Sequence, residues 1–149
     1  MDISKLDAQA IHFFRRISMP VARFSLFVVF FWFGFLKIIN MSPASGVVQR
    51  LFEATIPFME FGAFLIGFGV FECLIGVLFA IKGAERVVIP LLFIHMTMTL
   101  GPLVLLPSET WLGFMVPTLE GQYIIKNLVV IATAIGVAAH LHPLRPRHK

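Results

Sequence analysis

Lys37, Glu72, His95 and Lys126 each lie inside a long apolar stretch of this chain. A carboxylate and an imidazole can take up and release protons, and ammonium groups can donate hydrogen bonds to a carbonyl or an anion. Charge inside apolar segments is costly and is kept mostly where it is paired or used. Glu72 and His95 are therefore the candidate catalytic groups, and all four are candidate ligand-binding groups. A polar pocket among them would suit a quinone head group, an anion or a proton path, and spacing alone does not choose. Each residue also has a plainer role. The two lysines can snorkel to the membrane surface, and His95 can sit neutral against Thr99 or a backbone carbonyl. With Met96 and Met98, His95 would make a soft ligand set. On a helix, however, Met96 points away from the face shared by His95 and Met98, so no metal is expected.

The elements that carry these residues are four apolar runs, about 21–39, 61–81, 87–106 and 124–141. The chain has 149 residues, of which 58% are apolar and 13% charged, and its mean hydropathy is +0.91. A soluble domain of this size could not hide that much apolar surface, so a bilayer must serve as its solvent. The expected fold is all-α: one transmembrane domain, an integral membrane four-helix bundle. The net charge of +4 does not point to nucleic acid, because the basic residues sit at segment ends. Cys73 is the one cysteine, so an internal disulfide or thiol relay is excluded and a packing role is expected.

Lys5, Arg15 and Arg16 precede the first run and Arg23 stands at its start, Lys82 and Arg86 flank the middle link, and Arg145, Arg147 and Lys149 follow the last run. The other two loops hold Arg50 beside Glu53, Glu60, Glu109 and Glu120. The positive-inside rule then places both termini in the cytoplasm. The late, long first run does not resemble a cleavable signal peptide, and a retained signal-anchor is expected. Leu6–Ser18 has the spacing of a short interfacial helix, with Pro20 marking the entry to the first span. In the first outer loop Ser42 and Pro43 suggest a helix start, and Val47, Leu51 and Ala54 form the apolar stripe of an amphipathic helix. Pro107–Tyr123 is too rich in turn residues for a long helix.

Gly69, Glu72, Gly76 and Ala80 share one face of the second span. Small residues let membrane helices approach closely, so this face and Ala132 with Gly136 of the fourth span are expected at the tight centre of the bundle. At a rise of about 1.5 Å per residue, Glu72 and His95 lie roughly 14–15 Å above the cytoplasmic flanks, and the two lysines roughly 21–23 Å above them. A lysine side chain nearly closes that gap, so a buried pair of Glu72 with Lys37 or with Lys126 is expected. Arg23 falls at the boundary and is expected to snorkel.

Several stretches resemble the DoxX-like family of small four-helix membrane proteins: FFWFGFLKI (Phe30–Ile38) followed by SPA (Ser42–Ala44), FECLIG (Phe71–Gly76), HM (His95–Met96) with PLVLLPSETW (Pro102–Trp111), and PTLEGQYIIKNLVV (Pro117–Val130). The resemblance implies a multi-pass protein of a bacterial-type cytoplasmic membrane, acting as a homo-oligomer or with a partner subunit. It also implies a link to quinone-coupled oxidoreductases or oxidative-stress complexes, with quinone as the candidate cofactor and no stand-alone activity. A proton-linked solute carrier and a non-catalytic scaffold are the alternative functions. The resemblance supplies no catalytic residue.

Overall fold

The structure is a computed structural model that describes residues 3–56 and 58–141. The basic tail of Arg145, Arg147 and Lys149 lies outside the described residues. The elements are α1 (Ile3–Ile38), α2 (Ser45–Thr55), α3 (Phe61–Ala80), α4 (Glu85–Leu100), α5 (Pro102–Leu105), α6 (Pro107–Thr110), β1 (Trp111–Gly113), β2 (Val116–Pro117), α7 (Leu119–Ile125) and α8 (Asn127–Ala138). Among the described residues, four helices are long and apolar enough to cross a membrane: Ile3–Ile38, Phe61–Ala80, Glu85–Leu105 and Leu119–Ala138.

The first helix departs from expectation. In place of a separate interfacial segment, α1 runs unbroken through Pro20 for 36 residues. A proline inside a helix removes one backbone hydrogen bond and costs about 3 kcal/mol. The neighbouring residues contain no glycine or second breaker, so helix resumes on both sides. Ser18 donates its hydroxyl to the Arg15 carbonyl at 3.2 Å just before the gap. At the far end Asn40 adopts φ 56°. The Met41 amide then reaches the Leu36 carbonyl at 2.8 Å, the six-to-one bond that closes a helix C-terminus.

α2 begins later than the Ser42–Pro43 signal suggests. Ser42 contributes its carbonyl, which accepts from the Ser45 amide and hydroxyl, and no side chain caps the helix. The inward residue is Phe52, packed on Phe61 and Phe64 at ring separations of 5.7 and 4.8 Å, while Ala54 is exposed. A large ring buries more apolar area than a methyl, so the helix rotates to place Phe52 against α3. The start of α3 is fixed by Glu60, whose carboxylate accepts from the Gly62 and Ala63 amides at 2.8 and 2.7 Å. Gly83, at φ 93°, makes the short turn into α4.

Three further features concern the segment after α4. The third span breaks at Gly101, where the amide bonds to the Met98 carbonyl, three residues back. Pro102 has no amide to continue the ladder and instead opens α5. Beyond α6, the all-α expectation gives way to a two-stranded antiparallel ribbon pairing Trp111 with Pro117 and Gly113 with Val116. The last span starts earlier than the hydropathy edge. Thr118 caps α7 through its hydroxyl, which accepts from the Gly121 amide and donates to the Glu109 carbonyl. A Cβ at Gly121 would collide with the Thr110 carbonyl, so only glycine lets this turn close.

α1 lies between α3 and α8, and α4 packs against both α3 and α8, closing a four-helix ring. The buried core is Leu26, Phe30, Ile75, Phe79, Val88, Leu92, Met96, Ala134 and Val137. The tight pair is α1 with α3, not the second span with the fourth. A Cβ built on Gly34 would lie 2.6 Å from the Gly69 carbonyl, one on Gly69 2.6 Å from the Gly34 carbonyl, and one on Gly76 2.7 Å from the Phe31 amide. Gly67 and Gly136 face open space, and Ala80 is exposed. Gly34 is the missing half of the fit: two glycine faces can bring backbones together where one cannot.

Candidate functional site

Three of the four candidate residues meet. Lys37 from α1 donates Nζ to Glu72 Oε2 at 2.6 Å, and Glu72 Oε1 lies 2.8 Å from His95 Nε2 on α4. The trio thus ties three helices together. Lys37, Glu72 and His95 are 6, 5 and 3% exposed. A carboxylate oxygen only accepts, so the imidazole carries its hydrogen on Nε2. The Thr99 hydroxyl lies 3.3 Å from Nδ1 and also reaches the His95 carbonyl at 3.0 Å. Both oxygens of Glu72 are engaged, which is what a buried carboxylate requires.

Aromatic rings enclose the trio. Phe68 stacks on His95 at 5.0 Å with an interplanar angle of 8°, and the Phe30 ring meets it edge-on at 5.3 Å. Lys37 Nζ also sits 5.5 Å from the centre of the Phe68 ring, within cation–π range. This enclosure keeps water out and strengthens each charge contact. Sequence reasoning missed it. Phe68 lies one turn before Glu72 on α3, and Phe30 two turns before Lys37 on α1, so helical spacing was the available signal.

Lys126 is not part of the trio. It is exposed, and its ammonium lies 4.9 Å from the Tyr123 ring. Helix direction separates the two lysines. Side chains on a helix lean toward its N-terminus. On α1 that lean carries the Lys37 ammonium down toward Glu72. The last span runs the opposite way, so Lys126 leans toward the loops and away from Glu72. Substituting Lys126 by Gln is accordingly expected to leave the stability unchanged within about 0.5 kcal/mol, the range of surface changes. Thermal unfolding in detergent checks this.

The pocket expected to open among the four residues is not formed. Three of them bond directly and are buried, and the fourth stands apart. A cleft of about 190 Å³ lies elsewhere, between Ser18, Met19 and Ala22 of α1 and Thr133, Gly136 and Val137 of α8. Lys37 and His95 each bond Glu72 directly, at 2.6 and 2.8 Å, so the trio as arranged leaves no room for a quinone head group between its members.

Other charged and soft groups also fall differently from expectation. Arg23 does not snorkel. Its side chain is 11% exposed and pairs with Glu85 at the start of α4, which locks α1 to α4 at the end of the bundle holding the α3–α4 turn. Met96 is the buried methionine and Met98 the exposed one, the reverse of the expected face. Val88, Leu92, His95 and Met96 form the inward stripe instead. Cys73 is half-buried with Sγ 3.5 Å from the Phe31 carbonyl, at the α1–α3 seam. Compared with known proteins, the chain matches no family model, no curated protein and no solved structure.

Proposed function

We propose that this chain is a DoxX-like membrane subunit, a non-catalytic partner in redox or oxidative-stress machinery of a bacterial-type cytoplasmic membrane. The motif resemblance from Phe30 to Val130 supports the family and its redox association. Lys82 and Arg86 at one end of the bundle, against Glu53, Glu60, Glu109 and Glu120 at the other, support cytoplasmic termini. The observation that carries the scaffold role is the closure of the Lys37–Glu72–His95 trio. Its members bond one another across three helices and are buried, at 3–6% exposure. A closed trio acts as an internal staple that fixes the bundle's shape for a partner to dock on.

One feature supports a second reading, in which the trio binds a quinone-like head group after rearranging. Apolar residues would hold three helices at least as well as a buried ion pair, so the charges call for a use beyond packing. Affinity purification in mild detergent, native mass spectrometry and quinone titration separate the two. The scaffold reading expects a stoichiometric protein partner, retained when Lys37→Met and Glu72→Leu are combined. A co-purifying quinone that is lost in that double variant, with no protein partner, would overturn it in favour of the second reading.

A further inference from the structure

We infer that the cleft between α1 and α8 binds one membrane phospholipid with an anionic headgroup, its acyl chain in the cleft and its phosphate at the basic end, independently of the redox role proposed above. The cleft, of about 190 Å³, is walled by Met19 and Ala22 of α1 and by Gly136 and Val137 of α8. All four residues belong to helices long and apolar enough to cross a membrane. His140, which also borders the cleft, lies two residues past Ala138, where the last of those helices stops.

The walls suit a hydrocarbon chain. Ser18 and Thr133 border the cleft, but each hydroxyl donates to a carbonyl of its own helix, that of Arg15 at 3.2 Å and that of Val129 at 2.7 Å. Sites for whole small molecules usually measure about 300–1,000 Å³. This smaller cleft fits a length of slender chain better than a ring system. Gly136 keeps the space open, since a Cβ there would meet no atom within 4 Å. Packing of α8 on α1 therefore does not require glycine, although glycine inside a helix costs about 0.5–1 kcal/mol relative to alanine.

Charge at one end selects the headgroup. α1 and α8 run in opposite directions, so the first half of α1 and the end of α8 meet at the same end of the bundle. Arg15 stands one turn before Ser18 and Met19 on the same face of α1 and is exposed. At that end of α8, His140 Nδ1 donates to the Gly136 carbonyl at 2.8 Å, because a carbonyl only accepts. This bond holds the ring at the end of the cleft and leaves Nε2 for a ligand. Apolar walls closed at one end by a guanidinium and an imidazole repeat the order of groups in an anionic lipid. The chain's own residues 142–149, HPLRPRHK, are a poor match, being as basic as the site and carrying a single leucine.

Phosphatidylglycerol and phosphatidylcholine with a photoreactive acyl chain, in nanodiscs holding the full chain, test the site. Phosphatidylglycerol is expected to label residues 18–22 and 133–140 above all others, and phosphatidylcholine to label them less. Gly136→Leu, which fills the cleft, should abolish that labelling without lowering the thermal midpoint. Arg15→Gln should weaken phosphatidylglycerol binding about fivefold, the effect of one basic residue at a lipid surface, and leave phosphatidylcholine labelling unchanged. Labelling spread evenly around the helices, or retained in Gly136→Leu, would overturn the inference. So would equal labelling by the two lipids, or a cross-link from a photoreactive side chain at position 136 to residues 142–149, which would assign the cleft to the chain's own tail.

Discussion

Glu72→Leu is expected to destabilise the bundle by about 3–5 kcal/mol, the range for removing one partner of a buried ion pair. The leucine fills the space but leaves the Lys37 ammonium buried with no anion and His95 Nε2 with no acceptor. Lys37→Met is expected to cost less than this, because Glu72 keeps its contact with His95. The informative variant is the double one. Lys37→Met with Glu72→Leu removes both charges, so it should recover most of the single Glu72→Leu loss. Interhelical hydrogen bonds in membranes average only about 0.6 kcal/mol. A large single loss with recovery in the double therefore reports the stranded charge and not the lost bond. Thermal unfolding of all four proteins in one detergent closes the cycle. Strict additivity of the two single effects would show that the ion pair does not form.

Gly34→Ala is expected to destabilise by about 1–3 kcal/mol or more, the cost of overpacking a well-fitted contact. The added methyl would lie 2.6 Å from the Gly69 carbonyl and 2.8 Å from the Cys73 amide. Both are backbone atoms and cannot rotate aside, so α1 and α3 must separate. Separation also stretches the bond from Lys37 to Glu72, because Gly34 and Lys37 lie one turn apart on the same face. Alanine's helix preference over glycine returns only about 0.5–1 kcal/mol. At Gly67 and Gly136 a methyl meets open space, and alanine there is expected to be neutral or stabilising. The sign should thus differ among three identical substitutions, again measured by thermal unfolding. Equal effects at all three would mean that the α1–α3 backbones are not in contact.

Much of the architecture is legible in the residues. Hydropathy sets four spans because a bilayer accepts only long apolar helices, and α3 matches its run within a residue. The inward face of α3, with Gly69, Glu72 and Gly76, follows from spacings of three and four. The requirement that Glu72 be buried and paired follows from the cost of an isolated charge in hydrocarbon. Other features were hidden because they depend on competition between weak local signals. Pro20 suggests a boundary, yet α1 continues, since one missing hydrogen bond is small against the helix on either side. Pro107–Tyr123 reads as loop, yet Thr118 and Gly121 start a helix there because the Thr110 carbonyl packs against Gly121.

The sequence by itself determined the membrane class, the four helices and the presence of an acid that needs a basic partner. Composition and periodicity act along one chain segment at a time, and that is enough for those features. Only the tertiary structure decided which partner the acid takes. Lys37 and Lys126 share chemistry and similar expected heights, but Lys37 is buried against Glu72 whereas Lys126 is exposed beside the Tyr123 ring. The close approach of α1 to α3 was decided in the same way, because it requires glycine from both helices at one level. A contact made by two segments is a property of their relative placement, and neither segment carries it alone.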